Sequence, residues 1–212
     1  MTLDIRNVDC MEMMKEFPDK YFNLAIVDPP YGINAAKMTM GKGSGNDLGK
    51  FRQKEWDNKP PDSAYFVELK RVSVNQIIWG GNYFVLGRSR CYLIWDKIDY
   101  NSDFASAELA WTSFDSVVKT FHHPRNTKEA RIHPTQKPIQ LYEWLLTKYA
   151  KKGDKILDTH LGSGSNAIAC HNLGFDLVAS ELDKDYYEAA MKRINQHTKQ
   201  KPLFNLQEIF IK

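Results

Sequence analysis

The chain alternates short apolar runs with amphipathic stretches, and the spacing of the two predicts its elements. Asn23 to Val27 (NLAIV) is apolar up to an abrupt stop at Asp28, the pattern of a buried strand. Gln76–Trp79, Cys91–Trp95, Leu109–Phe114 and Val117–Phe121 also read as strands. Asp62 or Ser63 is placed to cap a helix through Ser73. Ile139–Tyr149 carries Leu141, Leu145 and Tyr149 at helical spacing. The C-terminal part runs strand (Lys155–Asp158), Gly-rich turn, helix (Asn166–Leu173), strand (Asp176–Ser180), helix (Asp183–Gln196). Such a β-loop-α-β-α run predicts an α/β fold with a doubly wound, mostly parallel sheet. Residues 32–61 and 122–135 break the pattern with glycines, prolines and basic side chains, and read as two long, mobile, basic loops.

Composition narrows this picture in a few places. The 212 residues, 42 % hydrophobic, suffice for one α/β domain over residues 1–212. No apolar run is long enough to span a bilayer, and the N-terminus lacks the apolar region of a signal peptide, so the expected location is the cytoplasm, with no membrane partner. Cys10, Cys91 and Cys170 are far apart and form no CxxC pair, so neither disulfides nor a metal site is expected. A net charge of +3 is compatible with nucleic acid without demanding it. Its distribution says more: Lys37, Lys42, Lys50, Arg52, Lys54 and Lys59 crowd one loop, and Arg125, Lys128 and Arg131 the other.

Two segments carry chemistry. In the first, Asp158-Thr159-His160-Leu161-Gly162-Ser163-Gly164-Ser165-Asn166 joins a strand to a helix, and its glycines let the backbone turn tightly beside a ligand. Glu181 ends the next strand, where a carboxylate accepts hydrogen bonds from the ribose hydroxyls of an adenosine-containing cofactor. The turn alone fits a nicotinamide dehydrogenase equally well.

The second, Asp28-Pro29-Pro30-Tyr31 directly after an apolar strand, is more specific. Two prolines stiffen the chain and bring no donors, leaving the Asp28 carboxylate and the Pro29 carbonyl as acceptors. One acceptor for each N–H of an aromatic amine pulls its nitrogen toward a tetrahedral shape and aims the lone pair at an electrophile. Tyr31 offers a face on which an extruded base can stack.

Asp28–Tyr31 resembles the DPPY motif of DNA amino-methyltransferases, and Asp158–Ser165 resembles their cofactor motif, usually DPFxGSGT. His133-Pro134-Thr135-Gln136-Lys137-Pro138 is similar to the family's HPTQKP block, and Trp79-Gly80-Gly81-Asn82-Tyr83-Phe84 to a segment of its adenine-specific members. The catalytic motif precedes the cofactor motif by about 130 residues, which resembles the β group, a circular permutation of the class I S-adenosylmethionine-dependent methyltransferase sheet. The resemblance covers residues 3 to about 197. It departs at Thr159 and His160, where the family usually has Pro and Phe, and at Ser165, usually Thr.

The resemblance implies methyl transfer from S-adenosylmethionine to the N6 amine of adenine in double-stranded DNA, with N4 of cytosine or a non-catalytic DNA-binding descendant as alternatives. It implies that Asp28, Pro29, Pro30 and Tyr31 hold the flipped base. Asp9 and the Cys10 backbone would bracket the cofactor adenine, and Glu181 with Leu182 would meet the ribose side. Asp158, Thr159, His160, Gly162, Ser163, Gly164, Ser165 and Asn166 would form the cofactor loop, and Lys137, next to Pro138, would meet the cofactor carboxylate. Lys37, Lys42, Lys50, Arg52, Lys54, Arg125, Lys128 and Arg131 are the expected DNA contacts. A homodimer is also implied.

Overall fold

The computed structural model describes residues 1–33, 57–98, 105–124 and 131–199. In chain order the elements are β1 (Leu3–Arg6), α1 (Cys10–Lys15), β2 (Phe22–Val27), α2 (Ser63–Val72), β3 (Ser73–Trp79), β4 (Tyr92–Asp96), β5 (Ala107–Thr112), β6 (Lys119–His122), α3 (Ile139–Tyr149), β7 (Lys155–Asp158), α4 (Ser165–Leu173), β8 (Asp176–Ser180) and α5 (Lys184–Thr198). The eight strands form one sheet in the order β1-β8-β7-β2-β3-β5-β4-β6. β5 runs antiparallel to both β3 and β4; the other pairings are parallel. β1 and α1 have no counterpart in the pattern reading.

β2 and β7 lie side by side at the centre. From β2 the chain moves outward to β3, and from β7 it moves the other way to β8. Their C-terminal ends therefore flank a point where the winding reverses, the place where open α/β sheets bind ligands. This arrangement brings Asp28 and Asp158, far apart in sequence, to one edge.

Helices cover both faces because buried parallel strands carry apolar side chains on both sides. In β2, Leu24 and Ile26 pack with Leu141 and Leu145 of α3 and Ile168 of α4. Ala25 and Val27, one residue out of phase, pack with Met13 and Met14 of α1 and Leu69 of α2. α1 starts because the Asp9 carboxylate accepts from the amides of Met11 (2.7 Å) and Glu12 (3.3 Å). α4 starts at Gly164, whose φ of 75° is left-handed. A Cβ there would stand 2.9 Å from Ile194 Cδ1, so glycine also permits the close approach of α5.

Candidate active site

A cavity of about 610 Å³ opens at the C-terminal ends of β1, β8, β7 and β2. Of the side chains expected from the sequence, its wall holds Asp9, Cys10, Asp28, Pro30, Lys137, Thr159, His160, Ser163, Glu181 and Leu182, together with Gly162. Pro29, Tyr31, Pro138, Asp158, Gly164, Ser165 and Asn166 do not line it. Several of these support the wall from behind. Asp158 is 1 % exposed and accepts from the His160 amide (3.1 Å) and Asn166 Nδ2 (3.0 Å). Ser165 Oγ donates to the Lys137 carbonyl (2.7 Å), tying the two motifs together.

On the cofactor-loop side, Glu181 is held by backbone. Its two oxygens accept from the amides of Gly162 (2.9 Å) and Asp183 (3.0 Å). A carboxylate has about four acceptor sites, so lone pairs remain for a diol. Burial pushes the Glu181 carboxyl up, and those amides oppose this only in part. Burial also pushes Asp158 up to about 7, only partly opposed by the Asn166 amide and the His160 N–H.

On the DPPY side the charges are side chains. Asp28 Oδ1 accepts from the Tyr31 hydroxyl (2.6 Å), and Oδ2 accepts from Lys137 Nζ. The Asp28 carboxylate, expected as a free acceptor, is thus already engaged, and Lys137, expected to meet the cofactor carboxylate, directs its ammonium at Asp28. Lys137 also meets Glu108 Oε2 at 3.0 Å, and Glu108 Oε1 meets Lys97 at 2.7 Å. The Lys137–Glu108 contact is an ion pair without hydrogen-bond alignment. Asp28, Lys137, Glu108 and Lys97 thus form a row of alternating charge in which the two lysines are buried and the two carboxylates half-buried. Burial would lower the Lys137 ammonium, but Asp28 and Glu108 hold it above its ordinary value. Burial raises Glu108, and Lys137 and Lys97 more than reverse this, bringing it down to about 2. Asp28 itself is pushed up by burial against the pull of Lys137.

The sequence reading missed Glu108 and Lys97. A signal was available, since Glu108 sits between Ala107 and the apolar Leu109-Ala110-Trp111, and Lys97 comes two residues after the buried Trp95. The sequence reading named Tyr83 only as part of the Trp79–Phe84 segment, without a site role; its ring stacks on Tyr31 (centroids 4.9 Å apart, 14° between planes). Gly80 makes room for Tyr31: φ is +71°, and a Cβ would stand 2.2 Å from the Tyr31 ring. Val8, Tyr142 and Tyr186 are further wall residues, as is His133, which the sequence marked only as part of the HPTQKP-like block.

Of the expected DNA contacts, Lys37, Lys42, Lys50, Arg52, Lys54, Arg125 and Lys128 lie outside the described residues; Arg131 is half-buried. The ends of the first basic loop meet, because the Gly32 amide donates to the buried Asp57 carboxylate (2.8 Å). Among the described residues no group of His, Cys, Asp or Glu could hold a metal ion. None of the described helices is long and apolar enough to cross a membrane.

A family described as DNA methylase, of the N6/N4 type, matches residues 78–192. The Type II methyltransferase M2.LlaDCHI of Lactococcus lactis subsp. cremoris is 30 % identical over 109 residues, 51 % of this chain and 38 % of the relative. The Type II methyltransferase M2.DpnII of Streptococcus pneumoniae is 32 % identical over 107 residues, 50 % of this chain and 37 % of the relative. The match thus spans under two fifths of these relatives' lengths. Among solved structures, the M1.HpyAVI–S-adenosylmethionine complex superposes with a TM-score of 0.58 at 20 % identity, covering 91 % of this chain and all of the other. That likeness concerns the fold, a class I methyltransferase sheet.

Proposed function

The chain belongs to the DNA methylase family, and from that premise we propose that it transfers a methyl group from S-adenosylmethionine to the N6 amine of adenine in double-stranded DNA. The observation that carries this reading is the charge of the cavity. Among the described residues, Asp9, Asp28, Glu181 and Asp183 line it, and the one lysine there, Lys137, is bound to Asp28 and Glu108. Such a wall suits a cationic sulfonium nucleoside and repels the pyrophosphate of a nicotinamide dinucleotide.

The residues present fit the cofactor. Glu181 keeps lone pairs for the ribose hydroxyls, and Gly162 brings backbone close at the loop. Four adjacent parallel strand ends, roughly 14 Å from first to last at about 4.8 Å each, match the span of an extended nucleoside linked to an amino acid. When bound, the cofactor supplies a methyl group on a positively charged sulfur.

The chain's own residues then align the amine. One amine N–H takes the place of the Tyr31 hydroxyl on Asp28 Oδ1, and the second meets the Pro29 carbonyl. Lys137 stays on Oδ2 and fixes the carboxylate's direction. The base stacks on the Tyr31 face that Tyr83, itself 46 % exposed, now covers. Positive charge growing on the amine during attack is stabilised by the fixed carboxylate and carbonyl, groups already oriented before reaction. Asp28 need not remove a proton first; the amine proton leaves afterwards to water.

The basic loop between Gly32 and Asp57 leaves from and returns to the DPPY turn. Its lysines, with Arg131, are our candidates for phosphate contacts that offset the few kcal/mol of base unstacking. The same reading includes the cytoplasmic location and a homodimer; a sedimentation run at micromolar concentration showing only monomer removes the latter.

The test is incubation with unmodified duplex DNA and methyl-labelled S-adenosylmethionine beside Asp28→Ala, with mass spectrometry of the nucleosides. Label on the adenine amine, absent with the variant, is expected. Label on the cytosine amine changes the substrate and keeps the mechanism. No product and no cofactor binding overturns the reading.

A further inference from the structure

Thr159 and His160 depart from the family's usual Pro-Phe, and the structure joins them into a hydrogen-bonded chain. The Tyr65 hydroxyl lies 2.6 Å from Thr159 Oγ1, and Thr159 Oγ1 lies 2.9 Å from His160 Nδ1. Tyr65 is 3 % exposed and Thr159 2 %, so neither hydroxyl hydrogen has water to turn to. Three proton arrangements are open. If His160 Nδ1–H donates to Thr159 and Thr159 to Tyr65, the phenolic hydrogen is buried unpaired. If Thr159 accepts from both neighbours, its own hydrogen is buried unpaired. Only Tyr65 O–H to Thr159, and Thr159 O–H to His160 Nδ1, satisfies every group, and a buried unpaired hydrogen costs about 1–3 kcal/mol. Nδ1 is then an acceptor, and the ring proton sits on Nε2. Burial pushes the imidazole down to about 4 despite the nearby Asp9, so the ring is neutral at pH 7.

The sheet order says what this ring faces. Asp28 ends β2 and Glu181 follows β8, with β7 between them; beyond β8 lies β1, which leads into Val8, Asp9 and Cys10 on the cavity wall. With the reacting amine at β2 and the ribose at Glu181, the cofactor's purine falls on the β1 side. His160 follows β7 and feels the charge of Asp9, so it reaches toward that side.

We propose that His160 is a specificity residue that donates an Nε2–H hydrogen bond to a purine ring nitrogen of the cofactor, with Tyr65 and Thr159 setting its tautomer. This rests on the functional reading above. The purine carries three ring nitrogens able to accept, at positions 1, 3 and 7, and cannot form such a bond with a phenylalanine.

Two measurements test it. Nitrogen-15 NMR of the imidazole at pH 7 in the ligand-free protein reads the tautomer directly: the Nε2–H form is expected, and the Nδ1–H form or an imidazolium overturns the proposal. Calorimetric titration then compares S-adenosylhomocysteine with its 1-, 3- and 7-deaza analogues. One analogue is expected to bind the native protein about three- to tenfold more weakly than the parent, and His160→Phe is expected to lose that preference while still binding the parent. Equal discrimination by both proteins overturns the proposal and leaves the functional reading standing. A native protein that binds no S-adenosylhomocysteine overturns both.

Discussion

Two carboxyls, the buried Asp158 and the half-buried Glu108, are shifted in opposite directions. Asp158, behind the cofactor loop, is met by dipoles, an amide side chain and a backbone N–H, and rises to about 7. Glu108, behind the DPPY turn, is met by two ammonium groups and falls to about 2. Burial raises both, and at Glu108 two full charges overcome it. The cofactor side is thus built to shape backbone around a ligand, and the DPPY side to aim one carboxylate, Asp28, through the Lys137 ammonium.

The largest break in this contrast is Lys137→Met. It leaves Asp28 and Glu108 facing each other without the shared cation, and a stability loss of about 3–5 kcal/mol is expected in urea titration at pH 7. Turnover should fall with it, because Asp28 loses the contact that fixes its direction. Glu108→Gln is milder, since Lys137 keeps Asp28. Roughly 2 kcal/mol of stability should be lost at pH 7. The native Glu108 has a folded value of about 2 against the ordinary 4.5. Its contribution is therefore present above pH 4.5 and lost as pH falls toward 2, so native and variant stabilities should converge in acid.

Asp158→Asn sharpens the other half. A carboxyl raised from 3.8 to about 7 on folding makes the native protein less stable as pH rises through that window. His160, lowered from 6.5 to about 4, acts oppositely, its contribution being lost as pH falls from 6.5 to 4. In the native chain the two slopes oppose each other. In the variant the Asp158 slope is gone and the others remain, so its stability relative to native should climb between pH 4 and 7 in chemical denaturation. A flat difference would show that Asp158 is ionised throughout.

The smallest effect tests dipoles alone. Asp9 caps α1 through two backbone amides. Asp9→Ala should cost about 1 kcal/mol and Asp9→Asn only a few tenths, by thermal denaturation. Equal losses would assign the stabilisation to charge rather than to the hydrogen bonds.

Most strands were legible because each is a compact apolar run between polar turns: β7 and β8 and helix α3 occupy the spans their patterns predict. β2 gains Phe22 and β3 begins at Ser73, three residues before its apolar core. β1 was not legible. Leu3-Asp4-Ile5-Arg6 alternates over only four residues, and it becomes a strand because β8 pairs with it. The six-residue α1 is too short to display a period and is fixed by its cap and by Met13 and Met14 in the core.

The sequence by itself determined the identity and order of the two motifs, the acidic residue one strand later, and the type of every element except β1 and α1, because each is written in neighbouring residues. The tertiary structure alone decided that Asp28 answers to Lys137 and Glu108, that Tyr83 covers Tyr31, and that Tyr65 reaches Thr159. These contacts cross the sheet between distant segments, and β5, which carries Glu108, inserts between β3 and β4 out of chain order. Local periodicity reports which face of an element is buried; it carries no information on which element lies against that face, and the charges of this site meet only there.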